Sequence, residues 1–286
     1  MNTKELNERI NLLSHFITHE EFKNDYIANV NSGIDTAYKT SINIVCLARN
    51  LGYCLSRNLS IVEEHIAKKF KNYNIFIYEN DSTDNTVEEL HRYKEISNRF
   101  SFFSEKRNVK HLPLSKSKER TENLAYCRNQ CVSFVKNQDI TDYTLVLDID
   151  FTGIHIDGLF NSFGILTKNN QIHAMAGNSF LYQKHPTQEG YVLTNYDSWA
   201  FRHNWWLDYQ REMFWFLHWK PPIGSSPFRV NSAFGGACIY RTIDYIKGTY
   251  NGNDCEHVEF HKNLHSKIKD FNLSINPSQL MLMSTI

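Results

Sequence analysis

The stretch YNIFIYENDSTDNT, residues 73–86, places a polar run directly after an apolar one. Residues 75–78 read Ile-Phe-Ile-Tyr, a short β-branched and aromatic run that is typical of a buried strand. The next six residues are all polar and oxygen-rich, and three of them are the carboxylates Glu79, Asp81 and Asp84. The stretch therefore predicts a buried strand that ends in a group of acids.

Strand-like and helix-like segments alternate on both sides of this stretch. Apolar runs predict further strands at residues 41–50 (SINIVCLARN), 99–107 (RFSFFSEKR) and 143–150 (YTLVLDID). The segments with helical spacing are residues 56–70, 82–96 and 123–135. Continuous apolar strands separated by helices predict an α/β fold with a parallel sheet covered on both faces.

Two groups of acids fall at the carboxyl ends of predicted strands. One occupies residues 79–84, and the other is Asp148-Ile149-Asp150. The carboxyl ends of parallel strands meet at one edge of the sheet, which is where ligands bind in such folds. No GxGxxG or GxxxxGK[ST] motif is present, so a dinucleotide site or a P-loop is unsupported.

The second group of acids has the chemistry of a cation site. Alternation along a strand puts Asp148 and Asp150 on one side and Ile149 on the other. Two hard oxygen ligands at a strand end suit Mg²⁺ or Mn²⁺, which keep other positions for water and phosphate. Such an ion would neutralise a diphosphate and assist its departure as a Lewis acid. The alternative is a solvated strand end, because Asp-x-Asp also occurs by chance.

Composition excludes several classes of protein. Lys plus Arg equals Asp plus Glu at 31 each, so the formal net charge is zero and nucleic acid is not expected as the main partner. The six cysteines form no CxxC pair, which favours reduced core thiols over a zinc ribbon or a disulfide framework. The start, MNTKELNERI, lacks the apolar run of a signal peptide, and no segment has the ~18 apolar residues of a membrane span. We therefore expect a cytoplasmic protein.

The two ends of the chain follow the pattern less closely. Residues 157–168 predict a helix, and residues 172–182 and 190–202 predict strands, which we expect to be antiparallel. Residues 1–40 predict a helical extension, and residues 41–286 then form one domain with a C-terminal elaboration. The helical spacing of the extension is carried by Leu6, Ile10, Leu13 and Phe16.

Seven short segments share their order and spacing with a known family. They are LARN (47–50), IYENDSTDNT (77–86), ENLAYCRN (122–129), LVLDID (145–150), NYDSWAFR (195–202), NSAFGGACIYR (231–241) and NDCEHVEFH (253–261). Together they resemble the GT-A nucleotide-sugar glycosyltransferases. The likeness is closest to the fungal capsule-associated (cryptococcal) α-1,3-mannosyltransferases and their bacterial and viral relatives.

This resemblance implies a fold and a function. The fold would be a Rossmann-like GT-A domain, with a central, mostly parallel sheet flanked by helices. Residues 41–150 would form the nucleotide-binding half and residues 151–286 the acceptor-side half. The function would be metal-dependent hexose transfer with retention, from a GDP- or UDP-hexose such as GDP-mannose. Mn²⁺ or Mg²⁺ would be the cofactor, and a glycan, glycolipid or glycoprotein the acceptor.

The resemblance also implies roles for residues at the predicted sheet edge. Asp81 would hold the base or ribose of the donor, with Glu79 and Asp84 as neighbours, because a carboxylate accepts hydrogen bonds from ribose hydroxyls or a base N–H. Asp148 and Asp150 would bind the metal. The other implied donor-side residues are Arg49 and Asn50 at the nucleotide, Arg120 and Arg128 near the diphosphate, and Gly235 and Gly236 near the transferred sugar.

Ordinary structural roles stay open for several of these positions. Asp84 is also suited to cap a helix. Arg49 can be a surface residue at a strand end, and Arg128 can be the partner of a buried acid. Gly235 and Gly236 can form a plain turn.

The segment NDCEHVEFH lies where GT-A enzymes place a catalytic base or a third metal ligand. An inverting enzyme needs a carboxylate base, which Glu256 or Asp254 would supply. A retaining enzyme does not; His257 would then bind the metal or the diphosphate, and Glu256 would be an acid on the acceptor side. Helical spacing pairs Glu256 with Glu259 and His257 with His261, so a plain helix face is the alternative.

All five tryptophans fall within residues 199–219. Indole rings stack well on sugars, which predicts an acceptor platform. A core or dimer contact and an interfacial membrane helix are the alternatives. Asp197 and Arg202, in the same region, resemble family positions near the donor sugar.

Two other functions compete with sugar transfer. A nucleotidyltransferase of related α/β fold would carry a glycine-rich phosphate loop after the first strand, where this chain has only Gly52. A non-enzymatic carbohydrate-binding protein would use the tryptophans, but it leaves both groups of acids without a role.

Overall fold

The computed structural model describes residues 19–112, 115–184, 191–205 and 215–284. It divides into two compact units. One unit comprises residues 37–150 and 239–271, and we call it the parallel unit. The other comprises the described parts of 1–36, 151–238 and 272–286, and we call it the mixed unit.

Four strands of the parallel unit lie side by side in the order β3-β2-β1-β4. They are β1 (Ser41–Ala48), β2 (Asn72–Asn80), β3 (Phe100–Glu105) and β4 (Tyr143–Asp148). All three pairings are parallel, and their register places Ala48 beside Glu79 and Leu47 beside Asp148. The predicted parallel sheet is therefore confirmed, and the two groups of acids do lie at the same edge.

The strands are buried because their apolar runs are continuous. Ile44, Val45 and Cys46 on β1 are fully buried, as are Ile75 and Ile77 on β2. Such strands have apolar neighbours on both faces, as expected for a parallel sheet. The predicted connections are confirmed as α2 (Leu55–His65) with the 3₁₀ turn Ala67–Lys69, α3 (Thr86–Ile96) and α4 (Lys118–Lys136).

The parallel unit is completed by a later part of the chain. Strand β10 (Ala237–Arg241) carries the chain into this unit, and two helices, α6 (Thr242–Tyr245) and α7 (Glu256–Lys267), follow. Helix α7 begins within NDCEHVEFH, with Cys255 as its N-cap residue.

The mixed unit combines parallel and antiparallel pairings. Strands β6 (Ala174–Gly177) and β11 (Leu273–Asn276) are parallel, and β9 (Phe228–Val230) is antiparallel to β11. A second sheet has the order β5-β12-β7-β8. Its strands are β5 (Gly153–Ile154), β12 (Met281–Ser284), β7 (Phe180–Lys184) and β8 (Tyr191–Asn195).

Two predictions for this region are confirmed and one is refined. The predicted helix at 157–168 is α5 (Ile156–Lys168), and β7 and β8 are antiparallel as expected. The single strand predicted at 172–182 is two strands, β6 and β7, which belong to different sheets.

Close packing of two helices explains two glycines of the mixed unit. The N-terminal helix α1 (Glu20–Ala37) packs on α5. A Cβ atom on Gly33 would lie 1.8 Å from the carbonyl oxygen of Phe160, and one on Gly164 would lie 1.9 Å from that of Asn29. Only glycine permits this approach of the two backbones. The earlier positions of the predicted extension, Leu6, Ile10, Leu13 and Phe16, lie outside the described residues.

Two predictions from composition concern the cysteines and the membrane-spanning helices. All six cysteines are buried and free, as expected for reduced core thiols. Across the described ranges, no helix is long and apolar enough to cross a membrane.

Candidate functional site

A pocket of about 470 Å³ opens at the carboxyl ends of β1, β2 and β3 in the parallel unit. Its walls come from the ends of these strands, the loops that follow them and the start of α3. They contain Arg49, Glu79, Asp81, Ser82, Thr83, Val87, Ser104, Glu105, Lys106, Asn108 and Val109. The sequence-based candidates Arg49, Glu79 and Asp81 are thus brought together in one pocket.

Side-chain hydrogen bonds join the loops that follow β1 and β2. The Asn50 backbone N–H donates to Ser82 Oγ at 3.0 Å, and Asn50 Oδ1 accepts from the Thr83 backbone N–H at 2.8 Å. Asp84 Oδ2 accepts from the Gly52 backbone N–H at 3.0 Å. Asn50 and Asp84, both predicted to contact the donor, therefore bind the neighbouring loop.

Asp84 also serves the start of helix α3. Its Oδ1 accepts from the Thr86 backbone N–H at 3.0 Å, while Asn85 is the N-cap residue and caps without a side-chain hydrogen bond. Partial burial opposes ionisation of Asp84, but its hydrogen bonds to Thr86 and Gly52 outweigh burial and lower the pKa of the carboxyl. This is the capping role that the sequence left open.

Glu79 occupies the floor of the pocket and is almost completely buried. Its Oε1 accepts from the Ser82 backbone N–H at 2.8 Å. Its Oε2 accepts from the Ser104 hydroxyl at 2.5 Å, which links the end of β2 to the end of β3.

Asp81 reaches across to the loop after β3. Its Oδ1 accepts from the backbone N–H groups of Arg107 and Asn108, both at 2.8 Å, and its Oδ2 accepts from that of Val109 at 3.1 Å. On the other side of this loop, Arg49 Nη2 donates to the Val109 carbonyl oxygen at 2.8 Å. Partial burial opposes ionisation of Asp81, but its hydrogen bonds outweigh burial and lower its pKa.

The acids at the end of β4 have a different environment. Arg128, which is buried on α4, donates from Nη2 to Asp148 Oδ1 at 2.8 Å. This geometry matches the alternative in which Arg128 is the partner of a buried acid. Burial, and then the charge of Asp148, raise the pKa of Asp150 to about 6. The buried Asn58 donates to the Ile149 carbonyl oxygen at 2.6 Å and so fixes the backbone between the two acids.

Asp148 and Asp150 suit a divalent cation whose remaining ligands are not protein side chains. Within residues 19–112, 115–184, 191–205 and 215–284, no three His, Cys, Asp or Glu side chains form a group that could hold a metal alone. Burial, and then the charge of Asp148, outweigh the smaller opposing effect of Arg128 on the pKa of Asp150. A cation bound by Asp148 and Asp150, with water and phosphate as its other ligands, would supply the missing positive charge.

The first turn of α7 contributes buried titratable groups to the same unit. Burial raises the pKa of Glu256, while the charges of Arg128 and then Arg120, in the first turn of α4, lower it. Burial, and then the charge of Arg128, lower the pKa of His257 well below its ordinary value, so this imidazole is neutral at pH 7. Its Nε2 lies 3.6 Å from Glu256 Oε1. Arg128 therefore acts electrostatically on Asp148, Glu256 and His257.

The other members of NDCEHVEFH make local contacts. Asp254 Oδ1 accepts from the Cys255 backbone N–H at 2.7 Å. Lys262 Nζ lies 2.7 Å from Glu259 Oε1, and the Tyr240 hydroxyl lies 2.8 Å from His261 Nε2. Glu259 and His261 thus behave as residues of a packed helix.

Gly235 and Gly236 lie in the mixed unit with φ values of 60° and 73°. A Cβ atom on Gly235 would be 2.3 Å from the Gly177 carbonyl oxygen, so close backbone packing requires this glycine. In the same unit Arg202 is buried, and its Nη1 donates to the carbonyl oxygens of Trp199 and Phe201, both at 2.8 Å.

The described tryptophans belong partly to an aromatic cluster in the mixed unit. Trp215 meets Phe201 edge-on with 5.4 Å between ring centroids, and it meets Trp219 at 6.0 Å. Trp205 and Trp215 keep 37% and 41% exposure, so these two rings are not simply core residues. Trp206 lies outside the described residues.

Sequence reasoning missed one wall of the pocket, which is formed by the end of β3 and the loop that follows it. This wall contains Ser104, Glu105, Lys106, Asn108 and Val109. The available signal was the polar run SEKRN at the end of an apolar strand, the same pattern that marked residues 79–84.

Comparisons with known proteins support the fold. No protein-family model and no curated protein matches the chain. Among solved structures, it is similar to GalNAc-T7 with UDP, GalNAc and Mn²⁺, at a TM-score of 0.58 and 15% identity over 86% of this chain and 44% of that one. It is also similar to the mannosyltransferase PcManGT from Pyrobaculum calidifontis in complex with GDP-Man and Mn²⁺. The TM-score is 0.50 and the identity 10%, over 92% of this chain and 66% of that one.

The chain has the GT-A glycosyltransferase fold. The α/β class expected from the sequence is thereby confirmed. The chain spans 44% and 66% of the lengths of these two GT-A proteins. The comparisons do not confirm the narrower resemblance to the fungal capsule-associated mannosyltransferases.

Proposed function

We propose that this protein is a metal-dependent glycosyltransferase that transfers a hexose from a nucleotide-sugar donor. One observation carries the proposal: the pocket at the ends of β1–β3 and the acids at the end of β4 share one edge of a parallel sheet. This is the edge at which ligands bind in open α/β sheets. The two GT-A structures named above contain UDP or GDP-Man together with Mn²⁺.

The pocket suits a nucleoside. Its volume of about 470 Å³ lies within the range of small-molecule sites. Val87 and Val109 supply apolar wall, and the carboxylate of Glu79 lies where it could accept from ribose hydroxyls or a base N–H. Arg49 and Lys106 bring positive charge toward the phosphates.

Asp148 and Asp150 would hold Mn²⁺ or Mg²⁺. When bound, the ion would offset the charge that develops on the departing nucleoside diphosphate. Arg128 fixes the orientation of Asp148 through the 2.8 Å hydrogen bond. Asp150 would hold the cation as its carboxylate, because only the deprotonated group is a good ligand.

The loop after β1 argues against a nucleotidyltransferase. Phosphate loops present free backbone N–H groups, usually from several glycines. Here the backbone N–H groups of Asn50, Leu51 and Gly52 donate to Ser82, Thr86 and Asp84 respectively. These groups are committed to the neighbouring loop rather than to a phosphate.

We further propose that the donor is a GDP- or UDP-hexose, with GDP-mannose as the first candidate. The sugar is transferred with retention, and the acceptor is a glycan, glycolipid or glycoprotein. In this mechanism Glu256 acts on the acceptor side and His257 supports the metal or diphosphate. If the enzyme inverts instead, Glu256 or Asp254 is the base, and Glu256→Gln should slow transfer by ~10²–10⁴-fold. The anomeric configuration of the product, read by proton NMR, decides between the two.

A thermal-shift panel of UDP- and GDP-sugars, with and without Mn²⁺, tests the function. A ligand that binds only the native state stabilises it by about 2.7 kcal/mol at 100 times its Kd. We expect such a rise for one base class, larger with Mn²⁺ and independent of Mn²⁺ in Asp150→Asn. No rise with any nucleotide sugar would contradict the proposal.

A further inference from the structure

The carboxylate of Asp81 is occupied by the protein itself. Besides the three backbone N–H groups of residues 107–109, its Oδ2 accepts from Asn80 Nδ2 at 3.0 Å. An ionised carboxylate has about four lone-pair positions for hydrogen bonds. These four donors take up that capacity, so a ribose hydroxyl or base N–H would have to displace one of them.

The loop held by Asp81 is a wall of the pocket. Lys106, Asn108 and Val109 all line it. The loop is fixed from both sides, because Asp81 accepts from its N–H groups while Arg49 donates to its Val109 carbonyl oxygen. The position of this wall therefore depends directly on Asp81.

Backbone conformation supports the same interpretation. Asn50, Asp81 and Asn108 all have left-handed φ values, at 56°, 54° and 57°. Each lies in one of the three loops that form the pocket. Non-glycine residues hold this conformation only where surrounding contacts impose it, and such positions cluster at functional sites. The hydrogen bonds of Asn50 and Asp81 are contacts of this kind.

We propose that Asp81 is a positioning residue that sets donor affinity by holding the loop 106–109 in its binding conformation, without contacting the donor. The inference rests on the proposed function, and it replaces the direct base or ribose contact that the family resemblance implied. When only a fraction of molecules is competent to bind, the apparent Kd rises by the inverse of that fraction. If the loop keeps its wall conformation about a tenth of the time without Asp81, donor affinity falls about tenfold.

Two variants test the proposal without imposing backbone strain. Asp81→Asn and Asp81→Gly both tolerate the left-handed conformation, whereas alanine would add a conformational cost. Asparagine keeps one acceptor oxygen, and glycine keeps none. Glu63→Gln is the matched control: Glu63 is a buried carboxylate of the same unit that accepts from the hydroxyls of Tyr73, Tyr93 and Ser97, outside the pocket.

The first measurement is amide hydrogen exchange at residues 107–109 in the full chain without nucleotide. We expect faster exchange in Asp81→Asn and faster still in Asp81→Gly, with wild-type rates in Glu63→Gln. The second is donor Kd by calorimetry with Mn²⁺, together with KM and kcat, well below the melting temperature of each variant. We expect Kd and KM to rise about tenfold with kcat nearly unchanged, because the loss falls on ground state and transition state alike.

Three outcomes would overturn the inference. Wild-type amide exchange at 107–109 in both Asp81 variants would show that the carboxylate does not hold the loop. If those variants also bound the donor more weakly, a direct contact between Asp81 and the donor would be the better explanation. Faster exchange with wild-type affinity would show that the loop does not set donor binding. Wild-type protein that binds no nucleotide sugar would overturn the proposed function as well, which separates that failure from the other two.

Discussion

The acids at the end of β2 and the acids at the end of β4 differ in what surrounds them. Both groups follow buried parallel strands and lie at the same sheet edge. Asp81 and Asp84 accept several hydrogen bonds from backbone N–H groups, and their pKa values are lowered. Asp150 lies beside a second carboxylate in a buried environment, and its pKa is raised to about 6.

The contrast separates two uses of the same residue type. A carboxylate surrounded by N–H donors is stabilised in its charged form and holds the chain in place. A carboxylate that is buried near another acid is less stable in its charged form and favours a proton or a cation. At this edge Asp81 and Asp84 hold the loops of the pocket, and Asp148 and Asp150 are the acids that we propose bind the cation.

The largest effect should come from removing the acid whose pKa is raised. Asp150→Asn removes one of the two proposed cation ligands, so transfer should fall by at least about 10²-fold, the usual cost of losing a charge-stabilising group. Mn²⁺-dependent nucleotide binding should disappear with it. The melting temperature of the metal-free variant should not fall, because a carboxyl with a raised pKa is not stabilised by its native surroundings.

The matched control for this variant is Asp139→Asn, at an exposed acid outside both groups. Its activity and Mn²⁺ dependence should equal those of the wild type. Normal transfer by Asp150→Asn at saturating Mn²⁺ would contradict the proposed cation site. The acids at the end of β4 would then have structural roles only, like those at the end of β2.

A second large effect should appear in stability rather than in chemistry. Arg128 is buried and supplies the positive charge beside Asp148. Arg128→Met leaves that carboxylate without its partner, and breaking such a pair costs ~3–5 kcal/mol when both groups are buried. We expect the lower end of this range, since Asp148 keeps 17% side-chain exposure. Urea unfolding of the metal-free protein measures the loss.

A double-mutant cycle gives this prediction its sharpest form. Arg128→Met combined with Asp148→Asn should recover much of the lost stability, because it no longer leaves a lone charge. Additive losses in the double variant would mean that Arg128 acts through packing alone.

The sequence predicted the scaffold but not the contacts that its acids make within the protein. Apolar runs and helical spacing located β1–β4, α2–α5 and the shared edge, because each signal is local in sequence. Asp81 accepts hydrogen bonds from donors at residues 107–109, which lie 26–28 positions further along the chain. No local pattern marks such a contact, although asparagine and aspartate are the residues that most readily adopt left-handed φ.

The mixed unit was harder to predict for a related reason. Its short strands pair with partners that are distant in sequence, as β6 does with β11 and β5 with β12. Gly177, Asn178 and Ser179 form a short turn signal at the junction of β6 and β7, and the prediction of one strand at 172–182 overlooked it.

The smallest expected effect is a pH dependence that belongs to the β2 acids. Asp81 and Asp84 have lowered pKa values in the folded protein, so each contributes stability that is fully present above the unfolded value of about 3.9. That contribution is lost as pH falls through the lowered folded values.

Metal-free protein should therefore lose stability below about pH 4, and Asp84→Asn should weaken that dependence while leaving the slope near pH 7 unchanged. Because both side chains are partly exposed, the difference should be below about 1 kcal/mol. Urea midpoints at several pH values between 3 and 7 would measure it, and equal acid sensitivity of wild type and variant would show that the hydrogen bonds to Asp84 do not stabilise the edge.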